Sequence, residues 1–162
     1  MAYDSRYIAN LVLDRADAEG LGITNLEINK IIYFLHSTYL ANFDRPLIDA
    51  KIEAWDYGPV IREIYSEFKR FGASDISARA TRLDLNSLKR APVYETMSSS
   101  DETFLHPLID KYMHLGATKL VNMSHEKGGP WDLVYNASGR SNPGMEITND
   151  LIQRYFLRQT RH

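Results

Sequence analysis

The amino-acid sequence predicts a mainly α-helical fold: one domain over residues 1–162, a helical bundle around a buried central helix at about residues 25–43, with a short β-hairpin or extended segments as the minor part. Three observations predict it. Apolar residues recur at helical spacing through most of the chain. Capping-box pairs, in which a Ser or Thr and a Glu three residues on satisfy each other's backbone donors, precede two of those segments. One segment is apolar around nearly its whole circumference, as a helix packed on several sides must be.

The first helix is predicted from about Asp4 to Glu19, with Tyr7, Ile8, Leu11 and Val12 on one face and Gly20 and Gly22 ending it. Thr24 and Glu27 then form a capping box for the second helix, Asn25 to Phe43. On it, Ile28, Ile31, Ile32, Leu35, Tyr39 and Phe43 make one broad apolar face, and Leu26, Tyr33 and Leu40 a second. Asn29 and His36 lie in the stripe between the faces and are expected to be buried and hydrogen-bonded. A small wedge around Glu27, Lys30 and Ser37 is expected to face solvent. A turn at Asp44–Leu47 leads to an extended segment, Ile48–Trp55, closed by Asp56-Tyr57-Gly58-Pro59. Pro59 suits the first position of a third helix, Pro59 to Phe71, which Gly72 terminates. Residues 73–97 read as loop with at most short strands or a helical turn. Ser99 and Glu102 cap a fourth helix in which Pro107 predicts a late start or a kink. Gly116 separates it from a short helix over Thr118–Met123. After a glycine-rich stretch, Ser124–Asn142, Thr148 caps the last helix, with Ile147 and Ile152 as its hydrophobic staple. Asp150 and Arg154/Arg158 suit its two poles.

Composition bounds the function. With 44% hydrophobic and 25% charged residues the chain is an ordinary globular protein, and 162 residues can bury a substantial core. The absence of cysteine removes disulfides, thiol nucleophiles and Cys-containing zinc sites. Nineteen basic against 21 acidic residues leave a net charge of −2, which does not favour bulk attraction to nucleic acid or membrane. No apolar run approaches the ~18 residues of a membrane span, and MAYDSRYIAN has no signal-peptide core, so a cytoplasmic location is expected.

Motifs for chemistry are scarce. Of the five histidines (36, 106, 114, 125 and 162) no two have the i, i+4 spacing of a helical zinc motif. Ser124, His125 and Asp132 lie close together without the strand–turn–helix that presents a nucleophilic serine. Glu63 and Glu67 fall on a predicted solvent face beside Lys69 and Arg70. Lys127-Gly128-Gly129 lacks the remainder of a phosphate-binding loop. Arg79, Arg82, Lys89 and Arg90, with Tyr94, read better as a polar loop than as a nucleic-acid patch. No catalytic, metal or cofactor role is therefore assigned. Two aromatic clusters stand out instead, Trp55-Asp56-Tyr57-Gly58-Pro59-Val60 and Ser124-His125-Glu126-Lys127-Gly128-Gly129-Pro130-Trp131. Their aromatic rings can plug the core, with His125 bonded to a backbone group, or anchor a protein partner.

Those clusters also carry a resemblance. Lys30-Ile31-Ile32-Tyr33-Phe34, Pro46-Leu47, Glu53 to Val60, Tyr65 and Lys69-Arg70-Phe71-Gly72 are similar to the Panacea, or SocA-like antitoxin, domain. So are Ser124 to Asp132, with Ser124 where threonine is commoner, and the closing segment Ile147 to Phe156. The likeness runs in order over about residues 4–158 and is weakest over 73–97. It implies an antitoxin of a bacterial or prophage toxin–antitoxin pair that neutralises its cognate toxin by direct protein contact. In one branch the domain is instead a proteolytic adaptor delivering the toxin to the ClpXP protease. It implies no enzymatic activity and no cofactor. It carries a partner-binding role onto Trp55, Tyr57, His125 and Trp131.

Overall fold

The computed structural model describes residues 2–137 and 145–160. The elements are α1 (Ser5–Ala18), α2 (Asn25–Phe43), β1 (Ile52–Trp55), β2 (Gly58–Ile61), α3 (Arg62–Phe68) extended by a 3₁₀ turn (Lys69–Phe71), β3 (Thr81–Asp84), β4 (Lys89–Pro92), α4 (Ser99–Met113), α5 (Ala117–Ser124), α6 (Pro130–Tyr135), β5 (Glu146–Ile147) and α7 (Asn149–Thr160). The protein is thus mainly α with minor antiparallel β structure, as predicted. The strands form a three-stranded sheet in the order β2-β1-β5 and a separate β3–β4 hairpin. No helix among the described residues is long and apolar enough to cross a membrane.

α2 is the axis of the bundle, touching α1, α3, α4, α5, α7 and β2. Both bonds of its capping box form, Glu27 N–H to Thr24 Oγ1 (3.2 Å) and Thr24 N–H to Glu27 Oε1 (3.1 Å). Ile28, Ile31, Ile32, Tyr33, Leu35 and Tyr39 are all essentially inaccessible, whereas Leu26, assigned to the second apolar face, is 37% exposed. The solvated wedge is a correction: Lys30 and Ser37 are fully buried. The side of α2 that carries Lys30 faces the outer edge of β2, so what looks like a polar surface satisfies strand backbone. Lys30 Nζ donates to Pro59 O (3.0 Å), and Asn29 Oδ1 accepts from Ile61 N–H (3.0 Å). Ser37 Oγ turns back to Tyr33 O (2.7 Å). Asn29 and His36 are buried and bonded as expected. His36 Nδ1 accepts from Ile48 N–H (3.4 Å), so its Nε2 carries the proton toward Asn149 Oδ1 (2.8 Å).

Pro59 is a second correction. It lies in β2, opposite Ala54, and the helix starts only at Arg62. Pro59 and Ile61 direct their backbone groups away from β1 toward α2, so a missing N–H there costs no ladder bond. Glu63 and Glu67 are also not a free solvent face, since Glu63 accepts from Ser5 Oγ and Glu67 from Thr81 N–H (2.7 Å). At α4 the cap is Ser98, accepting from Asp101 N–H (3.1 Å), not Ser99. The helix runs through Pro107 without the expected late start, and in its first turn Asp101 accepts from the Tyr3 and Tyr39 hydroxyls (2.6 and 2.9 Å). The short helix after Gly116 is present, and Thr148 caps α7 through Leu151 N–H (3.2 Å) with Ile147 and Ile152 both buried. The glycine-rich stretch contains a helix the sequence did not suggest, α6, with Pro130 in its first turn. Residues 138–142 of that stretch lie outside the described residues.

Residues 73–97 contain the β3–β4 hairpin, held by one buried side chain of α1. Asn10 Nδ2 donates to Ala80 O and Val93 O (both 3.0 Å), and Asn10 Oδ1 accepts from Ala80 N–H (2.8 Å). Alanine at position 10 leaves buried backbone groups unpaired, which costs about 2–4 kcal/mol. Urea denaturation of Asn10→Ala reads this directly, and a loss below about 1 kcal/mol would show that Asn10 is not the anchor.

Candidate functional site

The turn joining β1 to β2 is built from below. Gly58 has φ = +113°, a conformation that L side chains rarely adopt. A Cβ there would lie 2.6 Å from Lys30 Cε, 2.7 Å from Ser124 Oγ and 3.4 Å from His125 Nε2. The turn therefore rests directly on α2 and on the end of α5. Three side chains clamp it. Lys30 holds Pro59 O, Trp131 Nε1 donates to Trp55 O (2.7 Å), and the Tyr135 hydroxyl donates to Asp56. His125 and Tyr135 stack on the Trp131 ring at 3.8 and 4.5 Å between centroids, both within 16° of parallel.

This geometry sorts the four residues the resemblance singled out. All four meet at this junction, although 76 residues separate Trp55 from Trp131. Tyr57 stands at the crown of the turn, 71% exposed. Trp55 is half-buried, edge-on to Tyr65 (4.8 Å), with its indole N–H on Glu53 Oε1 (3.2 Å). Trp131 is buried beneath the turn, and His125 lies against it with its enclosed Nε2 lacking a hydrogen-bond partner among the described residues. Sequence reasoning gave no site role to Lys30, Ser124, Tyr65 or Tyr135, although the first three lie in the motifs that carry the resemblance. The one hint was Gly58, because a glycine between an exposed turn and a strand implies something pressed against it.

Beside Tyr57 opens a cleft of about 690 Å³, walled by Trp55, Tyr57, Tyr65 and Tyr135, with Leu26 at its rim and Lys30 on its inner wall. Burial pulls the Lys30 amine down to a pKa of about 7. Burial, and then the neighbouring Lys30 charge, lowers His125 below its ordinary value, with the Tyr57 backbone acting in the opposite sense. The carboxylates of the region are engaged elsewhere. Glu53 is bound by the Arg62 guanidinium (2.8 and 2.9 Å), which holds it below the usual carboxylate range, and Asp56 by Tyr135.

Ser124 Oγ donates to Val121 O (2.8 Å) rather than to His125. Asp132 accepts from Gly128 N–H (2.8 Å) and Asn136 Nδ2 (2.7 Å), so Ser124, His125 and Asp132 do not assemble as a relay. Among the described residues no three His, Asp or Glu side chains converge on a metal position. The basic stretch is largely neutralised within the chain: Arg79 pairs with Asp14 (2.7 Å) and Asp17, Arg82 with Asp4 (3.5 Å), and the Tyr94 hydroxyl donates to Asp14 (2.9 Å).

Residues 28–132 match the family described as "Antitoxin SocA-like, Panacea domain". The protein "Antitoxin SocA" of Caulobacter vibrioides (strain NA1000 / CB15N) is 34% identical over 158 residues, covering 94% of this chain and 82% of that relative. No solved structure matches the chain.

Proposed function

Because the chain belongs to the SocA-like antitoxin family of the Panacea domain, we propose that it neutralises a cognate protein toxin by direct contact through the surface around Tyr57. The observation that carries this reading is a large aromatic side chain, 71% exposed, on a turn that the buried interior holds rigid. A tyrosine fixed in place before binding loses little conformational freedom on contact and presents both an apolar ring and a hydroxyl. The adjoining aromatic cleft receives an apolar side chain of the toxin. In this reading Tyr57 and Trp55 touch the partner, while His125 and Trp131 hold the turn. Neutralisation requires no reaction on this chain.

Tyr57→Ala removes surface only, so its melting temperature is expected to match the parent. Its affinity for the toxin is expected to fall at least about tenfold, as for a central aromatic contact. The readout is growth on co-expression with the product of the neighbouring reading frame, together with titration of the two purified proteins. Full neutralisation by a folded Tyr57→Ala protein removes that residue from the interface. Delivery to ClpXP, implied by the resemblance for one branch, separates cleanly from sequestration. An adaptor lowers the toxin level only in cells that contain the protease, whereas a sequestering antitoxin leaves the level unchanged in both.

A further inference from the structure

The β3–β4 hairpin carries apolar side chains for which the fold has no use. Of its eight strand residues only Thr81 is even partly buried. Leu83, Leu85 and Leu88 are 48, 81 and 74% exposed, and these three within one six-residue stretch are among only seven large hydrophobic side chains exposed in the described part of the chain. None joins the core. Such clustering distinguishes a contact surface from ordinary scattered exposure.

The hairpin is nevertheless built to hold its shape. Its base is tied to Asn10 and to Glu67, and Arg90 folds across onto Thr81 Oγ1 and O (2.9 and 2.8 Å). At the tip, Asp84 Oδ1 accepts from Asn86 N–H and Asp84 O from Leu88 N–H, both at 2.8 Å. Leu88 sits at φ = +58°, where glycine or asparagine is favoured and leucine is uncommon. A bulky apolar residue thus occupies a left-handed position outside the core cluster of the described residues. The pairing places Leu83 beside Arg90 on one face and Asp84 beside Lys89 on the other. On the hairpin itself Arg82, Lys89 and Arg90 outnumber the single acid Asp84, but Arg82 faces Asp4 (3.5 Å) and Arg90 faces Glu67 (4.0 Å). Of the three, Lys89 alone makes no ion pair among the described residues.

We propose that this hairpin is a second docking element for the toxin, its leucine tip entering an apolar pocket on the toxin with a carboxylate at the rim facing the unpaired Lys89. The inference rests on the antitoxin reading but uses a surface distinct from the Tyr57 turn.

The test uses the full chain and the purified product of the neighbouring reading frame. Leu85→Asn/Leu88→Asn removes the apolar tip while keeping a residue that tolerates the left-handed backbone at 88, so the melting temperature is expected to hold. Toxin affinity is expected to fall at least tenfold. Lys89→Glu is expected to weaken binding several-fold at about 50 mM salt, and much less at about 500 mM, where exposed charges are screened. Unchanged affinity in the double variant overturns the proposal. So does a change in the oligomeric state of the chain alone, by sedimentation, with toxin affinity retained, since the tip then covers a second copy. Loss of affinity in Tyr57→Ala with silent hairpin variants removes the hairpin and leaves the antitoxin reading standing. Absence of toxin binding by the parent chain removes both.

Discussion

Trp131→Ala is expected to destabilise the protein by about 3–5 kcal/mol, the range for truncating a large buried aromatic side chain, and to lose neutralisation with it. The indole is 6% exposed, stacks with His125 and Tyr135, and holds Trp55 O. Its removal opens a cavity and orphans a carbonyl at the base of the β1–β2 turn. Trp131→Phe separates the two contributions. It keeps a ring against His125 but loses the indole N–H donor, and is expected to cost about 1–3 kcal/mol. Denaturant midpoints measure both variants, and amide exchange at Tyr57 and Gly58 reports whether the turn has been freed. A Trp131→Ala protein as stable as the parent would show that the turn is held by Lys30 and Tyr135 alone. Because Tyr57→Ala leaves stability untouched in the proposed reading, the pair of variants separates the contacting residue from the one that positions it.

The parts of the fold that were legible in the sequence are those set by local rules. α2 announces itself through Thr24 and Glu27 and an apolar face that no strand period would produce, and α7 through Thr148 with its flanking isoleucines. The errors occur where a distant segment decides. Pro59 satisfies the requirements of a first helical turn and of an outward-facing edge-strand position equally well, and only pairing with Ala54 chooses between them. Pro107 argues for a later helix start, yet α4 begins at Ser99, with Asp101 in its first turn held by the distant Tyr3 and Tyr39. Lys30, placed by the helical wheel in a solvated wedge with Glu27 and Ser37, is buried. Its position on α2 faces β2, and a strand with no further neighbour needs a donor for its outward carbonyl.

The site was legible as a set of residues but not as a surface. The clusters at Trp55–Val60 and Ser124–Trp131, singled out for their aromatic residues, meet in the fold. Residue type says little about which ring faces water, because Tyr and Trp serve both inside and outside a fold. The answer lies in the positive φ of Gly58, which seats the turn on Lys30 and Ser124 and leaves Tyr57 projecting. The hairpin leucines escaped notice because no periodicity flags three leucines in a segment otherwise rich in charge.

Protein stability is expected to rise between about pH 7 and pH 9.5, and Lys30 is the cause. Its amine has a pKa of about 7 when folded against an ordinary value of 10.5, because it is buried with no acid beside it. Between those values the unfolded chain binds more protons at this position than the folded one, so raising the pH favours the folded state, by at most about 1.4 kcal/mol per pH unit. Below pH 7 the amine is protonated in both states and the slope from this group vanishes. His125 and His36, both lowered by burial, add an acid limb of the same sign. The raised phenols of Tyr33 and Tyr155 oppose the trend only once tyrosines ionise in the unfolded chain, above about pH 10. Lys30→Met removes the buried amine and its bond to Pro59 O, so its stability at pH 7 balances a relieved desolvation cost against an orphaned carbonyl. The slope is the cleaner readout. Urea denaturation between pH 6 and 9.5 is expected to show the rise in the parent and a flat profile above pH 7 in Lys30→Met. His125 is also expected to titrate at higher pH in the variant, followed by its ring proton resonances, because the Lys30 charge that lowers it is gone. A Lys30→Met protein that keeps both the slope and the depressed His125 would show that the amine beneath the turn reaches water.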